Sequence, residues 1–242
     1  MLLAKMRIPF ILIVCGIFLL APVWGQEEPL VNRVPEERMA LHTIDVTIDE
    51  MGSASVREQY FFSFFAGEDE QFEMDYQENT PSLSAWRADY PFIHPYIGIE
   101  TNIENVEFLL NQTTNGQPIL TLSYKITAGI VQQISSDTQG RSVLWRLSDT
   151  ALLSFISGGR IEVNPKTLIK IALPRDATVN SKNLPAGVAV SGSVVTITNI
   201  QSNSLDIQYT LLTPIANPVD ASQLIQGLVN GPFFSAILVL LV

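Results

Sequence analysis

Leu41-His42-Thr43-Ile44-Asp45-Val46-Thr47-Ile48-Asp49 decides the fold class, and Glu50-Met51-Gly52-Ser53 behind it decides the connection. Ile44, Val46 and Ile48 fall on one side of an extended chain, with Thr43, Asp45 and Thr47 on the other. Successive side chains leave a strand on opposite faces, so this alternation marks a half-buried strand. The Glu-Met-Gly-Ser stretch supplies a turn. A second run, residues 54–65, places Val56, Tyr60, Phe62 and Phe64 on one face. The two runs together predict a β-hairpin.

Downstream, residues 68–78 are acidic, with Phe72, Met74 and Tyr76 at period two, and read as a strand with a charged outer face. Residues 83–90 read as a short helix that Ser82 caps and Pro91 ends. Residues 99–110 and 119–128 are strand-like about an Asn115-Gly116 turn. A strand is expected at 143–147, and a helical turn at 149–156 that Gly158-Gly159 ends. Short runs at 167–173, 177–180, 187–190, 194–200 and 205–212 close the series, parted by Gly, Pro, Asn and Ser. No helix-sized amphipathic pattern recurs between the strands, which argues against a parallel α/β sheet. The expectation is a mainly β protein: a β-sandwich, one large or two small and immunoglobulin-like, with short helical insertions. The β region is expected to span residues 41–213, with a possible subdivision at 135–140.

The two ends give an address. Lys5 and Arg7 precede an apolar run at 8–20; Ala21-Pro22-Val23-Trp24-Gly25 breaks it, and Gln26-Glu27-Glu28 turns polar. Charged, apolar and small segments in that order make a secretory signal, here residues 1–25. The competing reading is an uncleaved anchor: Trp24 is bulky beside a cleavage site, although the run is short for a membrane span. Residues 26–40 read as a linker and 214–227 as a stalk. Residues 228–242 are apolar almost throughout, and are expected to begin a C-terminal transmembrane helix; burial against a partner is the other reading.

The only cysteine is Cys15, in the apolar run, so the exported part carries neither disulfide nor thiolate. Ile13-Val14 before it are not the small residues of a lipoprotein signal. Acids number 24 and bases 14, and loss of Lys5 and Arg7 with the signal leaves 12 bases. Such a surface argues against nucleic acid, whose phosphates require basic patches.

Catalytic signals are sparse. His42 and His94 are the only histidines, and no Gly-x-Ser-x-Gly elbow is present. The acids at 68–78 lack the Asp-x-Asp-x-Asp-Gly order of a calcium loop. Ser157-Gly158-Gly159 lacks the Lys of a phosphate loop. No catalytic residue, metal or cofactor is therefore expected. Trp86, Tyr90 and Tyr96 are candidates for stacking on a sugar or peptide, though such aromatics also fill cores. Asn111-Gln112-Thr113 is an N-glycosylation triplet beside a turn.

The opening Ile44-Asp45-Val46-Thr47-Ile48-Asp49-Glu50-Met51-Gly52-Ser53-Ala54 and the late Ile171-Ala172-Leu173-Pro174, between a signal and an anchor, form a recognisable layout. It resembles the uncharacterised extracytoplasmic β-domains of membrane proteins from archaea and some bacteria. The resemblance covers residues 41–213 and implies a surface-exposed β-sandwich with no known activity. The expected function is a non-enzymatic, membrane-anchored extracytoplasmic domain for envelope structure, adhesion or sensing by protein contact. The alternative is a ligand- or glycan-binding ectodomain of a signalling or transport complex, and a weaker one is a carboxylate-dependent hydrolase. The expected partners are the membrane and another envelope protein or a glycan.

Overall fold

The computed structural model describes residues 33–136, 142–182 and 184–212. The expected signal, stalk and C-terminal apolar helix lie outside the described residues.

The hairpin forms as its alternation requires. β1 (Met39–Ile48) pairs antiparallel with β2 (Ala54–Phe62), Val46 opposite Val56. Ile44, Val46 and Ile48 are buried, and so is His42, which shares their parity. At the turn Gly52 has φ +85°, and a Cβ there would stand 2.9 Å from Val131 and 3.4 Å from Trp145. Only glycine fits both the left-handed backbone and the close approach. Val34 onward, the end of the stretch read as linker, is built into the fold: Val34 is in the core and Glu36–Arg38 forms a single 3₁₀ turn.

Residues 68–78 differ from expectation. They form a helix, α1 (Glu68–Asn79), followed by α2 (Leu83–Asp89). The buried positions of α1 are Phe72, Asp75 and Asn79, spaced three and four apart, whereas Met74 is exposed. Helix-forming Glu, Gln and Met outweigh the weak period-two signal, and three acids in the first turn favour the positive helix end. α2 starts as expected, Ser82 Oγ accepting the Ala85 N–H at 3.2 Å.

The remaining strands are β3 (Ile103–Gln112), β4 (Pro118–Ile126), β5 (Val131–Ser136), β6 (Ser142–Leu147), β7 (Ile156–Ser157), β8 (Arg160–Ala172), β9 (Thr178–Asn180), β10 (Val188–Ser191), β11 (Val194–Ser202) and β12 (Gln208–Leu212). The larger sheet has the order β10-β11-β8-β1-β2-β4-β3, with β7 on β8. The smaller has the order β5-β6-β12-β9. β5 and β6, on either side of the 135–140 stretch, are antiparallel neighbours. Gly158-Gly159 turns β7 into β8 and does not end a helix; the helical turn before it is Leu153–Phe155. β1 and β8 run parallel, His42 opposite Thr167. A parallel pair needs a long connection, and here everything between the two strands supplies it.

The helices set rings against β2 and β3. Phe72 lies 5.4 Å from Tyr90 and 4.7 Å from Phe62, and Trp86 stacks on Phe108 at 5.4 Å.

β8 contains the main irregularity. Leu168 pairs with Thr198 of β11, but the next pair is Val163 with Ile200. Asn164, Pro165, Lys166 and Thr167 thus stand opposite Asn199 alone. Proline has no N–H to give the ladder and is tolerated at a bulge. Across from it Asn199 takes φ +44°, a left-handed conformation that asparagine adopts more readily than most residues.

A cleft beside a buried carboxylate network

Two features adjoin at Tyr96. The first is a buried polar network. Glu58 and His42 are almost wholly inaccessible. Both sit on the inward parity of their strands, where a charge costs free energy unless it is satisfied. Glu58 is satisfied fully. Its Oε1 accepts the Tyr96 backbone N–H at 2.7 Å and the Tyr124 hydroxyl at 2.5 Å. Its Oε2 accepts the Tyr60 hydroxyl at 2.9 Å and lies 3.0 Å from His42 Nε2. Four donors match the lone-pair sites of a carboxylate, with the imidazole proton on Nε2. His42 stacks on Tyr60 at 4.3 Å and meets the edge of Tyr96 at 4.9 Å. Burial first, and then the Glu58 charge, push the Tyr60 and Tyr124 hydroxyls well above the ordinary tyrosine range. Burial does the same to Tyr96.

Neither Glu58 nor Tyr124 was singled out in the sequence. The signal was present: Glu58 interrupts the Val56, Tyr60, Phe62 stripe at the parity of its buried members. A charged residue at an inward position demands partners, and Tyr60, Tyr124 and His42 are those partners.

The second feature is an open cleft of about 450 Å³ at the β8 bulge. Asn164 and Thr167 come from β8, and Asn199 and Gln201 from β11. Phe155 and Ile156 form an apolar wall, and Tyr96 closes the side next to the network. Thr167 Oγ1 donates to Asn164 Oδ1 at 3.1 Å, and Gln201 Nε2 donates to Glu162 Oε1 at 3.0 Å.

The stacking candidates separate. Trp86 and Tyr90 are fully buried, so neither ring has a face open to a ligand; they are the core of the α1–α2 layer. The Tyr90 hydroxyl donates to Asp75, whose other oxygen accepts from Gln71 at 2.8 Å. Tyr96 alone reaches a cleft, and its ring is already packed against His94 at 4.1 Å and Phe155 at 5.3 Å. Asn111 is exposed near the end of β3, the edge strand of the larger sheet. Among the described residues, no group of three or more His, Cys, Asp or Glu is placed to hold a metal ion. Among them, too, no helix is long and apolar enough to cross a membrane.

No family model matches the sequence. No curated protein matches it. Among solved structures, the chain is similar to the folded domain of LppM from Mycobacterium tuberculosis, with a TM-score of 0.33 and 11% identity over 77% of this chain and 96% of that one. So slight a likeness transfers no property of that protein to this chain.

Proposed function

We propose that the chain is an exported, membrane-anchored β-domain that acts by contact and not by catalysis, its two sheets forming a sandwich. The observation that carries this reading is the closed state of the Glu58–His42 pair. Every Glu58 lone-pair site is taken by a protein donor, and both side chains are sealed from solvent. A carboxylate–imidazole pair that works on a substrate needs reach to it; this one has none and serves to lock three strands to the segment at 90–98. The sandwich is supported where the β1–β2 turn meets the smaller sheet, Gly52 against Val131 and Trp145. Export is supported by the charged, apolar and small order of residues 1–25.

Protease treatment of intact cells, with N-terminal sequencing of the membrane fraction, tests the reading. Digestion of residues 33–212 from outside, in a chain that pellets with membrane, is the expected result. Recovery in the soluble cytoplasmic fraction with Met1 still present would overturn it.

A further inference from the structure

The lining of the cleft at the β8 bulge restricts what it can hold. Among the described residues no Lys or Arg lines it, whereas Glu36 and Glu162 both do. Lys166, in the bulge itself, is outside that lining and donates Nζ to the Met39 carbonyl at 3.0 Å. An anionic ligand would meet two carboxylates and no cation in the lining. A wholly apolar ligand would strip water from the amides of Asn164, Asn199 and Gln201 and return nothing. A cation would use the carboxylates but not the amide donors.

A neutral ligand carrying many hydroxyls uses all of these groups. Each amide presents a donor and an acceptor side by side, carboxylates accept from hydroxyls, and the exposed Ile156 offers apolar surface to the C–H face of a ring. The volume of about 450 Å³ falls at the small-ligand end of protein pockets. The site is also formed in advance. Asn164 is held by Thr167, Glu162 by Gln201, and the Asn199 backbone by its place opposite the bulge, so limited ordering remains to be done on binding.

We propose that this cleft is a saccharide-binding site for a neutral glycan of two to three residues. The inference deepens the contact function argued above and rests on it for where the ligand is met, but not for the binding itself.

The test is titration of the purified full-length chain, in a detergent without a sugar headgroup, with neutral trisaccharides of glucose, mannose and N-acetylglucosamine. A trigalacturonate and a trilysine peptide serve as charged probes. Binding of at least one neutral trisaccharide is expected, weakened about tenfold by Asn199→Gly and by Gln201→Ala, the effect of one lost hydrogen bond. Asn199→Gly keeps the positive φ and removes only the side chain, and both positions are at the surface, so the melting temperature should hold. The proposal is overturned if no neutral trisaccharide binds, if binding survives both variants, or if only a charged probe binds. Failure of the export reading shows in the cell fractionation and leaves this titration unaffected, so the two are told apart.

Discussion

Glu58 is the residue on which the interior turns. Its carboxylate joins β2 to β1 through His42, to β4 through Tyr124, and to the chain at 96 through a backbone N–H. Removing it strands several buried donors at once, which costs more than the network contributes over an apolar core. Glu58→Ala should lower stability by about 3–5 kcal/mol, read from urea unfolding. Tyr124→Phe, which removes one donor to Glu58 and the acceptor of the Ile97 N–H, should cost about 1.5–3 kcal/mol. The tyrosines add a pH signature. Burial raises the hydroxyls of Tyr60, Tyr90, Tyr96 and Tyr124, and pushes Tyr209 up to about 12. A raised folded value means that the native state holds its protons longer than the unfolded chain does. The tyrosine contribution to stability is then full below pH 10, the ordinary tyrosine value, and is lost as pH climbs through the folded values. Phenolate absorbance from these five tyrosines and loss of near-ultraviolet dichroism should therefore rise together above about pH 10; phenolate from more than one of the chain's six tyrosines in the intact fold would contradict this.

At the scale of elements, the α1–α2 layer is held by rings and by its ends. Trp86 sits among Phe72, Tyr90 and Phe108. Trp86→Ala should cost about 3–5 kcal/mol and show as a lower urea midpoint. At the start of α1, Glu68 accepts from Arg38 at 2.8 Å, and that hydrogen bond holds its carboxyl below the ordinary value of 4.5. A depressed folded value means stability present above 4.5 and lost as pH falls below it. Arg38→Ala should accordingly flatten the acid limb of the melting-temperature profile while leaving the neutral melting point nearly in place, since the pair is partly exposed. Gly187 shows how a single backbone position holds a hairpin. A Cβ there would stand 2.4 Å from the Thr198 carbonyl oxygen, at φ +91°. Gly187→Ala should destabilise by at least about 1–3 kcal/mol by calorimetry, because the obstacle is backbone and cannot step aside.

Elements of this kind were unevenly legible. β1 and β2 could be read because alternation is local and their turn is short. The capped start of α2 was read for the same reason. α1 was misread because Phe72, Met74 and Tyr76 satisfy a two-residue period by accident, while the helical spacing of Phe72, Asp75 and Asn79 includes two polar residues that do not look like core. Only the Tyr90 and Gln71 hydrogen bonds make Asp75 an inward residue.

For the whole molecule, composition carried the large statements. A chain whose one cysteine is Cys15 must hold its β region together by packing alone, so a reducing agent should leave its melting temperature unchanged. The predominance of strands also follows from residue order, because it is a sum over local properties. What the sequence by itself did not determine is which strands become neighbours. Pairing of β1 with β8 joins residues more than a hundred positions apart, and it is decided by which arrangement buries the most apolar surface. The Glu58 network and the cleft both depend on that choice. One places four donors from different segments around a single carboxylate, and the other opens where Pro165 breaks a ladder against a strand that only the tertiary fold brings alongside.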